Sequence, residues 1–143
     1  MNNEPFVIEQ KYDAPVERVW QAITDKDKMK QWYFDIKNFR LEEGFEFEFI
    51  GEDQDCKEFL HKCKILEVVP NQKFRHSWRY EGYAGESFVT WELFPDGNGT
   101  KVKLTHEGLE TFPAEVKAFA KQNFVAGWTE ITGKLLKQFV EKN

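Results

Sequence analysis

The segment Phe45-Glu46-Phe47-Glu48-Phe49 alternates without a break. Successive strand side chains point to opposite faces of a sheet, so three phenylalanines face one way and two carboxylates the other. An apolar sheet face must be covered by another layer, and this chain therefore needs a sheet with helices packed on one side. Other segments supply further strands. Phe6 to Tyr12 places Phe6, Ile8 and Gln10 on one face. Glu58 to Val69 is long enough for one extended strand, ended by Pro70-Asn71. Its facing stays open, because Cys63, Ile65 and Glu67 compete with Leu66 and Val68. Lys73 to Tyr80 puts Phe74, His76, Trp78 and Tyr80 together; Glu86 to Phe94 groups Val89, Trp91 and Leu93; Thr100 to Glu107 groups Val102, Leu104 and His106. Polar turns are expected at 51–57, around Gly82 and Gly85, and over Pro95-Asp96-Gly97-Asn98-Gly99.

Helical spacing interrupts the strands twice. After Asp13-Ala14-Pro15, the residues Val16, Val19, Trp20 and Ile23 fall on one helix face, with the proline suited to the first turn. Thr24-Asp25 reads as a new N-cap, and Asp25 to Gln31 as a second short helix with Met29 and Trp32 pointing inward. Near the C-terminus, Pro113 opens a helical region. Val116, Ala120, Phe124, Trp128, Ile131, Leu135 and Phe139 recur every three or four residues, a stripe of about 24 residues or roughly 36 Å. Gly127 and Gly133 interrupt it and suggest a kink or break near Gly127, or a close approach of the sheet. The order is strand, two short helices, further strands, long helix. This predicts one α+β domain over residues 1–143, with a curved antiparallel sheet of about six or seven strands.

Composition narrows what such a domain does. A chain of 143 residues buries roughly 70% of its unfolded surface and needs no staple. Fourteen Phe and five Trp give enough aromatic area to dominate a core or to line a pocket. The net charge of −5 comes without a Lys/Arg cluster, which argues against nucleic acid and anionic membrane surfaces as partners. The start Met1-Asn2-Asn3-Glu4-Pro5 has no secretory pattern, and no apolar run reaches membrane-span length. Cys56 and Cys63 form no framework and no zinc pattern, which suits two reduced thiols in a cytoplasm.

The chemistry-bearing residues are few. His76 and His106 fall on inward faces and suit a proton-transfer pair or hydrogen bonds to a ligand; the plain alternative is a satisfied core histidine. No inward carboxylate clearly partners either, with Glu67 open as a candidate. His61 and Cys63 share a strand face, but two ligands do not make a metal site, so no metal and no cofactor is expected. There is no phosphate-cradling glycine loop and no nucleophile motif. The acidic stretch 42–55 reads as a solvated strand face and turn, with a partner-docking patch as the alternative.

The run Tyr12-Asp13-Ala14-Pro15-Val16-Glu17-Arg18-Val19-Trp20-Gln21-Ala22-Ile23-Thr24-Asp25, followed by Trp32, resembles the opening of the SRPBCC superfamily. These are the START-like, birch-pollen-allergen-like helix-grip proteins. The nearest branch by resemblance is the activator of heat-shock chaperone ATPase homologue-like domain. Ile65-Leu66-Glu67-Val68-Val69-Pro70 leading to Phe74, His76 and Trp78 is similar to the family's strand after a proline turn. Gly99 to Gly108, and Gly127-Trp128 with Leu135, are similar to its last strand and C-terminal helix.

The resemblance implies a sheet gripping one long C-terminal helix, with a deep hydrophobic cavity between them. Members bind varied apolar ligands or protein partners, and some relatives are cyclases or dehydratases. Fold alone does not choose among these. The inward residues Trp32, Phe47, His76, Trp78, Trp91, His106, Phe124 and Trp128 are then the candidate lining of the cavity, with Tyr80 as a further polar group. Plain core packing is the alternative, most of all for Trp20 and Trp91. The expected function is binding of a small hydrophobic or aromatic molecule. A protein-interaction domain or homodimer, and a cyclase-like enzyme using the histidines, are the other readings.

Overall fold

The computed structural model describes residues 5–36, 38–52 and 57–142. Six strands form one antiparallel sheet in the order β1-β6-β5-β4-β3-β2: β1 Phe6–Tyr12, β2 Glu46–Glu52, β3 Glu58–Val69, β4 Lys73–Tyr80, β5 Ser87–Asp96 and β6 Gly99–Glu107. Helices α1 (Val16–Thr24) and α2 (Lys26–Trp32) lie between β1 and β2. The C-terminal helix is built from α3 (Lys121–Glu130), a π-helical turn (Ile131–Leu135) and α4 (Leu136–Glu141). This is the α+β helix-grip arrangement that the sequence predicts.

Local chemistry sets the helix starts. Pro15 is the N-cap of α1, and its carbonyl accepts from Arg18 and Val19. Asp25 caps α2 with its side chain, accepting from the Asp27 amide at 2.9 Å, which satisfies one of the amides a helix start leaves unpaired. Val19, Trp20, Ala22 and Ile23 bury one face of α1.

Three boundaries differ from expectation. The turn between β5 and β6 is only Gly97-Asn98, since Asp96 already pairs with Gly99; Gly97 has φ +62°, which such tight turns require. Strand β2 runs on to Glu52, into the expected polar turn. The C-terminal helix begins at Lys121, not after Pro113. Phe112 and Phe119 instead pack on Tyr80, with centroids at 5.2 and 4.2 Å, and hold residues 112–120 in turns, one short 3₁₀ helix (Lys117–Phe119) and extended backbone against the end of β4. Val116 and Ala120 therefore precede the helix.

The irregularity in that helix lies one turn beyond Gly127. The Leu136 amide donates five residues back, to Ile131, and the Thr132 carbonyl accepts instead from the Tyr12 hydroxyl at 2.6 Å. Residues four apart drift about 40° per step around a straight helix. The wider π turn takes up part of that drift, so Phe124, Trp128, Thr132, Leu136 and Val140 all stay buried. Ile131, Leu135 and Phe139, from the predicted stripe, sit half-buried beside that row.

The open question of facing in β3 resolves in favour of Phe59, His61, Cys63 and Ile65, all buried. The β3–β4 ladder is irregular next to them. It runs through Lys62–Arg79 and resumes at Ile65–His76; in between, the Lys64 amide donates to the Ser77 hydroxyl at 2.9 Å. A bulge between Ile65 and Glu67 follows. No helix among the described residues is long and apolar enough to cross a membrane.

Candidate functional site

The concave face of the sheet, α1, α2 and the C-terminal helix enclose a core dominated by aromatic rings. All eight residues that the sequence points inward are buried: Trp32, Phe47, His76, Trp78, Trp91, His106, Phe124 and Trp128. They form two connected groups. Trp32, Phe47, His76 and Trp91 surround a small void. Trp78, His106, Phe124 and Trp128 meet at the C-terminal helix, with His106 5.4 Å from Trp78 and 5.2 Å from Phe124 between centroids. Trp91 against Trp128, at 5.8 Å, joins the two.

The deep cavity implied by the resemblance is closed in this structure. The void measures about 10 Å³, room for roughly one water molecule. It is filled from the segment after α2, whose Tyr33, Ile36 and Phe39 line it together with Phe49 and Phe74. Two larger concavities, about 800 and 740 Å³, lie outside, at the β5–β6 hairpin and on the outer face of β2–β4. Both are open and carry charged side chains such as Glu17, Lys73, Glu48 and Lys64, so neither offers the enclosed apolar surface of a small-molecule site.

The interior contains the chain's three histidines and no buried Asp, Glu, Lys or Arg among the described residues. Burial lowers His61 and His76 to about 4 and His106 to about 3, so all three are neutral near pH 7. Their hydrogen bonds fix the tautomers. At His106, Nδ1 accepts from the Trp128 indole at 2.9 Å, so Nε2 carries the proton and donates to Ser87 Oγ at 2.8 Å. The Ser87 hydroxyl in turn donates to the Trp78 carbonyl at 2.9 Å. Both ring nitrogens of His106 are therefore engaged in joining helix to sheet. At His76, Nδ1 donates to the Ser77 carbonyl at 2.8 Å, and at His61 Nδ1 donates to the Phe59 carbonyl at 3.0 Å. At His76 this leaves Nε2 as a lone-pair acceptor, whereas the His61 ring meets the Phe49 carbonyl as well.

The two histidines proposed as an acid–base pair thus play different parts: His106 is a structural link, while His76 faces the void. Glu67 partners neither; it pairs with Lys73 at 3.2 Å, partly exposed. No group of three or more metal-ligating side chains occurs among the described residues. Cys63 is a free, buried thiol pushed up by burial; Cys56 lies outside the described residues.

The sequence reading missed Tyr33. Its ring lines the void, and its hydroxyl is buried and lacks a hydrogen-bond partner. Burial raises its pKa well above the ordinary phenol value, with Cys63 and Tyr80 adding to the effect. Tyr33 follows the last residue of α2, where neither strand nor helix periodicity marks a side chain as inward. Gly51, which the sequence places in a polar turn, sits instead within β2. A Cβ there would lie 2.8 Å from His61 Cε1 and 3.3 Å from Phe34 Cε1. Its bare α-carbon lets His61 stack on Phe49 at 4.6 Å and Phe34 on Phe49 at 4.4 Å.

A family model described as "Activator of Hsp90 ATPase homolog 1-like protein" matches residues 13–141. No curated protein matches with significance. Several solved structures do. Protein CV1439 from Chromobacterium violaceum superposes with TM-score 0.83 at 22% identity over 100% of both chains. CalU16 from Micromonospora echinospora gives 0.71 at 29%, over 95% of this chain and 73% of that one. Mll3558 from Rhizobium loti gives 0.79 at 23%, over 93% and 94%.

Proposed function

The chain belongs to the activator of Hsp90 ATPase homolog 1-like family, and we propose that this member binds a small, apolar aromatic molecule between the sheet and the C-terminal helix. The observation that carries this reading is a void in the aromatic interior lined by Trp32, Phe47, His76 and Trp91 together with Tyr33, whose hydroxyl is buried without a partner. A buried hydroxyl left unpaired costs roughly 1–3 kcal/mol, a cost a bound molecule with a polar group removes. The ligand enters by displacing Tyr33, Ile36 and Phe39. Their described neighbours over 33–41 form no helix or strand, so moving them breaks apolar contacts but no secondary-structure ladder. Trp32, Phe47, His76 and Trp91 then form the wall, and Trp78, His106, Phe124 and Trp128 support it from the helix side.

A role in protein interaction rests on the family description, and no surface among the described residues favours a particular partner. Catalysis by a histidine pair is disfavoured, because His106 has no free ring nitrogen. The reading is tested by native mass spectrometry of protein purified from its host's lysate, compared with denaturing conditions. It expects a co-purifying small molecule that denaturation releases. A bare mass of 17.0 kDa, together with no movement of the tryptophan indole signals on titration with naphthalene or 2-naphthol, rejects it.

A further inference from the structure

Tyr33, Ile36 and Phe39 close the interior from the segment after α2. Ile36 and Phe39 have wholly apolar side chains, and burial favours them inward. Tyr33 differs. Its side chain is half-buried, so part of it already meets solvent, yet its hydroxyl is buried without a partner. Its ring stacks on Trp32 at 4.9 Å and tilts against Phe34 at 4.4 Å and Phe49 at 6.1 Å between centroids. The Tyr33 amide is tied to the Met29 carbonyl at 2.6 Å. The end of α2 therefore anchors the backbone, and the side chain turns about that anchor.

We propose, resting on the binding reading above, that Tyr33 is the gate of that site and that its unpaired hydroxyl sets how often the gate opens. Closed, the ring fills space but keeps the hydroxyl from any partner. Open, water pairs it. The imbalance raises the open population by a factor of about five to 150 over that of a phenylalanine in the same place, the worth of roughly 1–3 kcal/mol. A ligand that binds only the open form gains the same factor in apparent affinity. Tyrosine at this position trades fold stability for access.

Trp32 reports the opening without any ligand. Its indole N–H donates to the Ala22 carbonyl at 2.9 Å, and Tyr33 covers one face of its ring. The indoles of Trp78, bonded to the Tyr80 hydroxyl, and of Trp128, bonded to His106, serve as internal references away from the gate. Indole hydrogen exchange followed by NMR should show Trp32 exchanging about tenfold or more faster than both, through local opening. Tyr33→Phe should slow the Trp32 exchange by about fivefold or more. The same variant should weaken naphthalene binding by a similar factor. Naphthalene has no group to pair with a hydroxyl, so an effect of this substitution on its affinity acts through opening and not through contact. Exchange of Trp32 in step with Trp78 and Trp128 overturns the proposal, as does a Trp32 rate or a naphthalene affinity that Tyr33→Phe leaves unchanged. If naphthalene binds neither form while the exchange follows expectation, the gating motion is upheld and the ligand reading is what fails.

Discussion

Acidification should unfold this protein far above the pH at which carboxylates titrate. All three histidines are buried and neutral, at about 4 for His61 and His76 and about 3 for His106. In the unfolded chain each imidazole takes a proton near pH 6.5. Below that pH the unfolded state therefore binds more protons than the folded one, and stability falls as pH falls. The loss begins near pH 6.5 and continues to the folded values. Relative to pH 7.5, each imidazole costs about 0.8 kcal/mol at pH 6 and about 2 kcal/mol at pH 5. Three act together, which makes about 2.4 and about 6 kcal/mol, against a total stability of about 5–15 kcal/mol for an ordinary domain. No exposed histidine blurs the effect, since the chain has three in all. Glu141, held low by hydrogen bonds from Lys137 and the Asp13 amide, acts in the same direction only at lower pH, as carboxylates protonate. Urea unfolding at several pH values, followed by tryptophan fluorescence, measures the slope directly. The expectation is about 3.5 kcal/mol per pH unit between pH 6 and 5, or between two and three protons taken up on unfolding. A slope below about 1.4 kcal/mol per unit, meaning fewer than one proton, would refute the assignment of three neutral buried imidazoles.

Ser87→Ala removes the acceptor for His106 Nε2–H and the donor to the Trp78 carbonyl; a loss of about 2–4 kcal/mol in urea unfolding is expected, and a change under 0.5 kcal/mol would mean the helix-to-sheet link is unimportant. Tyr12→Phe leaves the Thr132 carbonyl in the π turn without the 2.6 Å hydroxyl, so stability should fall by about 1–3 kcal/mol, with hydrogen exchange rising first around residues 131–136. Gly127→Ala should work the other way: a Cβ there meets nothing within 4 Å, and replacing an exposed mid-helix glycine gains about 0.5–1 kcal/mol, readable as a higher melting temperature.

Much of the architecture could be read locally. The strands Phe6–Tyr12, Glu58–Val69 and Lys73–Tyr80 have the bounds that the alternation and the flanking turn residues imply. The Asp25 cap separates two short helices as expected. The eight residues assigned to the interior all lie there, because a period of two or of 3.6 is written into consecutive residues and needs no knowledge of partners. The less legible features depend on contacts between segments distant in the chain. The late start of the C-terminal helix follows from Phe119 stacking on Tyr80, and its π turn is matched by Tyr12, 120 residues away. His76 and His106 look alike in sequence, each on an inward strand face. Their partners make one a fully bonded strut and the other an open acceptor.

Fold class, the order of elements and which side chains turn inward all follow from local periodicity. That the interior is closed, that Tyr33 helps to fill it, and that His106 has both ring nitrogens engaged while His76 does not, emerge from contacts across the fold. Facing is a property of the local backbone, whereas filling a space and satisfying a hydrogen bond depend on atoms that other parts of the chain bring to the same place.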